Sequence, residues 1–585
     1  MTLLAIKDVL CGEPNPPNFP STVRVFEASD TDISKVVNEA FSKNGGHVPA
    51  NHGQFSGERY AFLFKPGNYS ADVPVGYYTS IYGLGESPND VIFNGDRGVY
   101  AEEGDYNYQG GSLCTFWRSA ENFRTTSSHD WQVGKGMIWA VSQASPLRRV
   151  VVDHDLNLFE YQPPATAAGY SSGGYIANSK ISGDLRFGSQ QQFCVRNVDL
   201  GKEVDVPPVW NGVFVGCSGS VPTSHCGTGN NAHPIVTAKT SPKIAEKPFI
   251  TSDLSGRFIL NVPKLQTDSI GSNFDQETTK IDFENVYVTQ LNDDAETINT
   301  KLAEGLDVVI SPGIYYLSTS LRVTRSEQVI LGLGMATLVT TSDEPCIVVP
   351  DAFQGVRIAG LLLEAKSETV SSLLMWGIEG GGNISNPGVL SDVFARNGVF
   401  TNETESSSID TMLRIASDSV IIDNTWLWRA DHDSNGAANM KDNHVNHGLY
   451  VKGDDVFAYG LAVEHTLQDL TIWDGDRGQV FFYQSELPYG VDQESFGDKY
   501  YVGYRVGSNV TSHNAYGVGV YQFFRDHAVT VKSGIQVPDA LVSSFVSPFT
   551  VFLNGLGKIE HVINNLGDTT ASGVVTAYVC ESSSH

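Results

Sequence analysis

The chain has 585 residues, and its 66 acidic residues outnumber its 38 basic ones, giving a formal net charge of −28. A surface this acidic repels nucleic acids and anionic membranes, so neither is an expected partner, and it would also repel a polyanionic polysaccharide unless calcium intervened. Gly 58, Tyr 24 and Phe 29 favour strands and turns, and the length predicts more than one domain.

The N-terminal residues 1–12 contain too short an apolar stretch for a signal peptide, and the chain has no run of 18 apolar residues that would span a membrane. Either the chain is cytosolic or a leader has been removed. Glycosylation sequons fit secretion, and we expect an extracellular location. These sequons are at Asn68, Asn383, Asn402 and Asn509.

The seven cysteines are an odd number, and no pair of them has zinc-finger spacing. Cys217 and Cys226 are close enough in sequence for a disulfide to close a loop between them. The other cysteines look isolated: Cys11, Cys114, Cys194, Cys346 and Cys580.

An internal repeat relates the two halves of the chain. Residues 62–85 and 308–334 both follow the order strand, Pro-Gly turn, tyrosine, second strand and Gly-Leu-Gly. Each copy is preceded by a helix candidate with aspartates at its start, at 30–43 and 293–305. Duplication of one architecture is the simplest explanation.

The segment between the copies is rich in Pro, Thr, Lys and Gly and has no periodicity. We therefore predict an N-terminal domain over 1–225, a crossover region over 226–284 and a C-terminal domain over 285–585. Many short strands at coil-like spacing predict parallel β-helices, because stacked coils cover each other's apolar faces. A β-propeller is the main alternative, but it would need more two-residue hairpin turns.

Glu464 and Glu486 stand out because each lies among apolar or aromatic residues, 22 positions apart, about one coil of a β-helix. Aligning Val456 with Val480 leaves a two-residue offset between the carboxylates, with α-carbons roughly 8 Å apart. Direct stacking would put them about 5 Å apart. Both registers keep the pair on one strand face. Inverting glycosidases use the wider carboxyl spacing and retaining ones the narrower, so the stereochemical outcome stays open.

Glu486 is the better general-acid candidate, because four aromatic residues flank it: Phe481, Phe482, Tyr483 and Tyr489. An apolar setting and a neighbouring carboxylate both raise a carboxyl pKa. The alternative is that each glutamate lies on the solvated outer face of a coil.

Residues 462–491, which include Val-Glu-His and Gln-Ser-Glu-Leu-Pro-Tyr, resemble glycoside hydrolase family 55, the exo-acting β-1,3-glucanases. So do residues 172–197, with their Gln-Gln-Gln run, residues 426–433, and Glu-Lys-Pro-Phe at 246–249. The resemblance covers most of the chain in order. It implies an all-β fold of two tandem right-handed, pectate-lyase-like parallel β-helices with the catalytic cleft between them.

The resemblance also implies roles for five residues. Glu486 falls on the general acid, Glu464 on a second carboxylate, and Tyr489 on a tyrosine near the acid. Gln190 and Gln192 fall on side chains that face the cleft and help to hold the attacking water. Strand alternation agrees, because residues two apart share a face. Without the resemblance, a polar ladder on a solenoid face would be the preferred interpretation of the glutamine run.

Near 209–219 the family is expected to have a small hydroxyl residue that positions the water. Val215, or alternatively Gly216, occupies that place here. Trp428, Asp431 and Asp433 resemble the substrate pocket, where an aromatic ring stacks on a sugar and carboxylates accept bonds from its hydroxyls. The alternative for the aspartates is turn chemistry, and their spacing does not suit a metal site.

The resemblance therefore implies an exo-acting hydrolase that cleaves β-1,3-glucan with inversion and releases glucose. No cofactor is expected, because the steps are proton transfers. The expected partner is a neutral β-glucan, and the chain is expected to act as a monomer. A β-helix polysaccharide lyase and a non-catalytic glucan-binding or adhesion protein are the alternatives.

Overall fold

The computed structural model describes residues 12–45, 53–102, 112–113, 115–161, 169–206, 209–226, 233–367, 369–398, 407–433, 436–437 and 443–580. Its α-helices, Ile33–Asn44 and Ala295–Ala303, lie where the aspartate caps predict them. Asp294 caps the second helix by accepting a bond from the Thr297 amide at 2.8 Å. Short 3-10 turns are Pro88–Asp90, Phe283–Asn285, Gly497–Lys499 and Asp539–Ser544. Within these ranges, no helix has the length and apolar character needed to cross a membrane.

The N-terminal half is built around a parallel sheet, called here the N-terminal long sheet. In spatial order its strands are Val23–Phe26, Tyr60–Phe64, Thr79–Gly83, Arg118–Thr125, Leu147–Val152, Tyr175–Ile181, Gln192–Leu200, Asn211–Val215 and Ile235–Ala238, with Gly67–Tyr69, Val91–Phe93 and Ser218–Gly219 at its margin. A second parallel sheet contains Gly136–Ile138, Asp155–Asn157, Leu185–Arg186 and Val204–Asp205. Val73–Pro74 pairs separately with Val99–Tyr100.

The C-terminal half repeats this plan with a longer stack. The C-terminal long sheet runs through Val286–Val288, Asp307–Ile310, Val329–Thr340, Arg357–Ala365, Gly388–Asn397, Val420–Arg429, Phe457–Glu464, Gly478–Glu486, His513–Phe524, Phe549–Gly555 and Thr576–Tyr578, with Ile314–Leu317 and Phe545–Val546 beside it. The outer sheet contains Leu321–Arg322, Ile347–Val349, Val370–Trp376, Ser407–Ile415, Asn443–Val451, Thr471–Trp473, Tyr504–Val506 and Ile535–Gln536. Two separate strand pairs also belong to the C-terminal half: Thr530–Val531 with Lys558–Ile559, and His432–Asp433 with Gly436–Ala437.

Apart from the last strand, Thr576–Tyr578, which is antiparallel, successive strands of both halves pair in parallel, one coil after the next. The fold is therefore a pair of tandem parallel β-helices and the β-propeller alternative is wrong. Between the halves lie antiparallel strands: Ser241–Ile244 with Gln266–Ser269, and Phe249–Ser252 with Phe258–Pro263 and Thr278–Asp282. The limits 1–225, 226–284 and 285–585 stay predictions.

Four consecutive strands of the C-terminal long sheet, from Val420–Arg429 to His513–Phe524, bend at one level, where a residue adopts a left-handed backbone conformation. Asn424, Gly460, Phe482 and Gly517 form this column, with φ between 64° and 70°. At Gly460 the other half of the molecule also comes close, because a Cβ there would lie 2.6 Å from the Tyr175 ring. The bend interrupts the simple alternation of faces along each strand.

The two long sheets pack against each other, and their buried side chains form an apolar interface. Tyr175, Val213 and Val215 of the first half contact Ile421 and Tyr459 of the second half within one cluster. The interior of each β-helix is a separate apolar core. The space between the helices is therefore largely a packed interface, into which the cleft described below opens.

Buried ion pairs join the halves within this interface. The Arg148 guanidinium donates to both oxygens of Asp392, at 2.8 and 2.7 Å, and to Asp423 at 2.6 Å. Arg196 makes a two-bond pair with Glu246 and lies 3.1 Å from Asp423. Because each charge is buried and paired, loss of one partner would leave another uncompensated.

Cys217 and Cys226 do not pair with each other, although they are close enough in sequence to close a loop. Cys226 forms a disulfide with Cys580, which lies 354 residues away, so Cys580 is not isolated. Cys217 is a free, buried thiol whose sulfur lies 3.4 Å from the Val195 carbonyl oxygen. The disulfide ties the segment between strands Asn211–Val215 and Ile235–Ala238 to the residues that follow strand Thr576–Tyr578. Cys11 and Cys114 lie outside the described residues.

Candidate active site

A cleft of about 840 Å³ opens between the two β-helices, and both contribute side chains to it. Aromatic rings and a few polar groups alternate along its walls, as is usual for small-molecule sites. The N-terminal half contributes Phe55, Leu113, Phe116, Gln143, Tyr170, Ser172, Gln191 and Trp210. The C-terminal half contributes Trp426, Trp428, Asp431, His432, Glu464, His465, Glu486, Tyr489, Arg525, Phe552, Leu553, Gly573 and Val575.

Glu464 and Glu486 end neighbouring strands and pair directly with each other in the parallel register. Of the two registers that the sequence left open, the structure has the direct one, with adjacent strands about 4.8 Å apart. The alternative that both glutamates face outward into solvent is wrong, because both line the cleft.

The carboxyl group of Glu486 faces the cleft, and its side chain is only 12% exposed. The Tyr489 hydroxyl donates a hydrogen bond to Oε2 of Glu486. Burial raises the pKa of Glu486 to about 7; the bond from Tyr489 opposes this shift and the nearby Asp431 carboxylate adds to it. Glu486 can therefore hold a proton near neutral pH and release it to a bound molecule.

The carboxyl group of Glu464 is held on both sides by buried donors. Nε1 of Trp426 donates to its Oε2 at 2.8 Å, and Nε2 of Gln143 donates to its Oε1 at 2.9 Å. Burial, followed by the neighbouring Glu486 carboxylate, raises the pKa of Glu464 well above its ordinary value. Glu464 is thus fixed in place and retains a proton more readily than a free glutamate does.

Gln143 and Ser172 extend this arrangement into the N-terminal half, and the sequence analysis missed both. The Ser172 hydroxyl donates to Oε1 of Gln143 at 2.7 Å, so a continuous chain leads from Ser172 through Gln143 to Glu464. Both residues lie outside regular strands; Ser172 begins the family-like segment 172–197, whereas Gln143 belongs to no motif quoted above. Their importance depends on the contact between Gln143 in the first half and Glu464 in the second half.

Asp431 lies beside two histidines at the same wall. Its Oδ1 is 3.0 Å from Nδ1 of His432 and 4.0 Å from Nε2 of His465, which in turn lies 3.9 Å from Glu486. Although burial opposes it, the hydrogen bond with His432 and the proximity of His465 lower the pKa of Asp431. Burial lowers the pKa of His465 to about 4. The cleft therefore keeps an ionised carboxylate near Glu486.

Trp428 belongs to an aromatic stack that forms part of the cleft wall. Its ring centroid lies 5.2 Å from that of Trp426, which stacks on Trp117 at 4.6 Å. The ring is 2% exposed, so any sugar would meet an edge of the stack. Asp433 lies in the short strand His432–Asp433, but its side chain is outside the described part.

The glutamine run does not have the predicted orientation. The side chain of Gln190 points into the interior of the N-terminal β-helix, where it donates to the carbonyls of Val141 and Leu158 at 2.8 and 2.7 Å. Its Oε1 accepts from the Gly173 amide at 2.8 Å, so the side chain is fully used by backbone groups. The prediction that Gln190 faces the cleft is wrong. Strand alternation does not apply, because the strand begins only at Gln192.

Gln192 lies behind the cleft rather than in it. It lines a small cavity of about 20 Å³ that adjoins the cleft, together with Gln143, Ser172 and Gln484. Its amide donates to the Ser172 carbonyl. Gln191, the residue not selected from the sequence, is the member of the run that lines the main cleft.

Val215 also differs from its expected place. It is fully buried in the apolar interface, and it lines neither the cleft nor the cavity behind it. Gly216 has φ +58° and packs against Ser241. Among the described residues, Ser172 is the hydroxyl that lines the cleft and is bonded to Gln143 beside Glu464.

Comparisons with known proteins agree with this geometry. The family model for the LAM55 pectate lyase-like domain matches residues 286–486, a span that ends at Glu486. The chain is 36% identical over 578 residues to a protein named exo-beta-1,3-glucanase from Streptomyces sp. strain SirexAA-E / ActE, covering 97% of this chain and 89% of the relative.

Solved structures from the same organism have the same fold. The structure of sacteLam55A from Streptomyces sp. SirexAA-E superposes with a TM-score of 0.87 at 34% identity, covering 97% of this chain and 99% of that one. A glutamate-to-alanine variant of sacteLam55A, in complex with glucose, matches with the same TM-score over 97% and 98% of the two chains. The extent of these matches shows that the chain belongs to glycoside hydrolase family 55.

Proposed function

We propose that this protein is an exo-acting β-1,3-glucanase that releases glucose with inversion. The observation that carries the proposal is the cleft between the helices, where Glu486 has a pKa of about 7 beside a second, differently bonded glutamate. A carboxylic acid kept protonated near neutral pH is what cleavage of a glycosidic bond requires. The Streptomyces relative is named for this activity, and a glutamate-to-alanine variant of sacteLam55A has been solved in complex with glucose.

In the proposed reaction, Glu486 donates its proton to the glycosidic oxygen as the bond from that oxygen to the anomeric carbon breaks. A water molecule attacks the anomeric carbon from the opposite face of the sugar. The proton that it loses as the new carbon–oxygen bond forms passes to solvent water, and Glu486 regains a proton from solvent before the next turnover. Tyr489 holds the Glu486 carboxyl group through its hydroxyl. The chain from Ser172 through Gln143 to Glu464 is the group of polar side chains that we propose to position the water.

The direct register of the glutamates does not make Glu464 a nucleophile. A retaining enzyme needs its second carboxylate ionised and free to form a covalent bond. The pKa of Glu464 is raised, and both of its oxygens are held by the Trp426 and Gln143 donors. These features support a single displacement by water, although the strand spacing alone would fit either mechanism.

A neutral glucan suits this cleft better than an anionic polysaccharide. Asp431 keeps a carboxylate in the wall, and the guanidinium of Arg525 is engaged by Asp526 at 2.8 and 3.0 Å. A lyase would need a free basic side chain beside an anionic sugar. Because a single chain supplies both walls of the cleft and both glutamates, we further propose that a monomer is active.

We also propose that the protein works outside the cell. The Cys226–Cys580 disulfide supports this location, because such bonds persist mainly in oxidising compartments.

The test of the proposed function is product analysis with three polysaccharides: laminarin, a mixed-linkage glucan and pectate. We expect glucose to be the only early product from laminarin, with no unsaturated product from pectate. Unsaturated sugars from pectate would instead indicate a lyase. Binding of laminarin without release of any sugar would indicate a non-catalytic protein.

A further inference from the structure

A cavity of about 320 Å³, separate from the cleft, opens on the outer-sheet side of the C-terminal β-helix. It lies beside strands Tyr504–Val506 and Ile535–Gln536. It shares no lining residue with the cleft among the residues that the structure describes. The core of the β-helix separates the two, and Tyr483 crosses that core to donate to the Gly503 carbonyl at 2.6 Å. The cavity walls include Tyr500, Tyr501, Lys532, Gln536, Asp539 and Asn565.

One wall is a loop that holds Tyr500 outward. Tyr500 is 64% exposed and has φ +59°, a conformation uncommon for a bulky residue. The Arg505 guanidinium donates to the Tyr500 carbonyl at 2.7 Å and to both oxygens of Asp469, at 2.7 and 2.9 Å. This anchoring fixes the loop and leaves the aromatic ring in solvent.

The opposite wall is fixed by Asn564. Its side chain accepts from the Val537 amide and donates to the Val537 carbonyl, both at 2.9 Å, and it donates to Asp539 at 2.9 Å. Gln536 connects the walls, because it accepts from Arg505 at 2.7 Å. Both sides are therefore rigid before any ligand arrives, which lowers the entropic cost of binding.

The remaining polar groups are free to bind a ligand. Within the described residues, the side chains of Tyr500, Tyr501, Lys532 and Asn565 have no hydrogen-bond partner in the protein. A sugar ring has an apolar face and a rim of hydroxyls. The tyrosine rings can stack on that face, and the surrounding hydroxyl, amide, ammonium and carboxylate groups can form hydrogen bonds with the sugar hydroxyls. Lys532 and Asp539 balance each other in charge, so a neutral sugar is favoured over a charged one.

We propose that this cavity is a second, non-catalytic binding site for a segment of β-1,3-glucan. The identity of its ligand rests on the proposed function, because the chain held here would be the polymer whose end enters the cleft. Engagement of one polymer at two sites raises the effective concentration of chain ends near Glu486. Long glucans would benefit from the second site, whereas a trisaccharide would not.

The test compares retention by a polymer with turnover of a short substrate. We would make Tyr500→Asn, because asparagine tolerates the left-handed backbone conformation. The matched control is Tyr316→Asn, since Tyr316 is 51% exposed and lies outside both cavities. Retention is measured by native electrophoresis in gels containing laminarin, and turnover as kcat/KM on laminaritriose.

Tyr500→Asn is expected to weaken retention by laminarin by about 3- to 10-fold, the range for loss of one aromatic contact. Turnover of laminaritriose should stay unchanged, and Tyr316→Asn should match the parent in both measurements. Should Tyr500→Asn unfold, Asn565→Ala on the opposite side provides the same comparison.

Unchanged retention of folded Tyr500→Asn, or equal loss in the Tyr316→Asn control, would overturn the second site. A parent protein that is retained by laminarin through Tyr500 but never hydrolyses laminaritriose would contradict the proposed activity and leave the second site standing.

Discussion

Glu464 and Glu486 occupy paired positions on adjacent parallel strands, yet their carboxyl groups have different partners. Glu486 accepts a bond from the Tyr489 hydroxyl and faces the cleft, whereas Glu464 is held by Trp426 and Gln143 and is 4% exposed. Unequal surroundings allow two identical side chains to take different roles. We therefore assign proton donation to Glu486 and positioning of the attacking water to Glu464.

Replacing Glu486 by glutamine should lower kcat by about 10²–10⁴-fold, because glutamine has no acidic proton to donate. The fold should survive, since the two side chains have the same shape. Glucose release from laminaritriose measures the effect. Glu494→Gln, an exposed position in the loop that follows, is the matched control and should keep full activity. An active Glu486→Gln protein would contradict the assignment of the acid.

The activity should fall as pH rises through about 7, because Glu486 then loses the proton that it must donate. Tyr489→Phe removes a hydrogen bond that favours the carboxylate form, so it should raise the pKa of Glu486 further. The alkaline limb of the profile of kcat/KM against pH should therefore move to higher pH in this variant. A move to lower pH, or none, would show that another group controls the limb.

Gln143→Ala should lower kcat by about 10- to 100-fold, because it removes one of the two donors that hold Glu464 and the acceptor of the Ser172 hydroxyl. KM should change much less if the chain positions water rather than sugar. Steady-state kinetics on laminaritriose separate the two effects, and Gln132→Ala, a turn position outside the cleft, serves as the control. A large rise in KM at constant kcat would place Gln143 in substrate binding.

Asp423→Asn should reduce the free energy of unfolding by about 3–5 kcal/mol. Asparagine carries no charge, so the buried guanidinium groups of Arg148 and Arg196 would each lose one of the carboxylates that neutralise them. Asp32→Asn is the comparison: Asp32 pairs with Arg24 on the surface, where both side chains are nearly half exposed, and the cost should be about 1 kcal/mol or less. Denaturant titrations followed by tryptophan fluorescence measure both. Equal costs would mean that the buried pairs do not stabilise the interface.

Local patterns in the sequence predict much of this fold. The aspartate caps locate both helices, and the 22-residue spacing identifies Glu464 and Glu486 as neighbours one coil apart. These features depend on residues within one turn or one coil, so periodicity reveals them. The resemblance to family 55 adds the tandem arrangement and the cleft.

Other features depend on contacts that no local pattern encodes. Gln143 and Ser172 matter only because the halves meet, and Cys226 reaches Cys580 across 354 residues. Phe482 has φ +70°, although nothing in its residue type marks a bend. Strand alternation failed for Gln190 for a related reason, since that residue precedes the strand.

The most direct test of the central claim is proton NMR of the first sugar released from laminarin by a high concentration of protein, before the anomers equilibrate. Attack by water on the face opposite the bond that Glu486 protonates predicts that α-glucose appears first. β-Glucose appearing first would mean retention of configuration and a covalent role for Glu464, which would contradict the account.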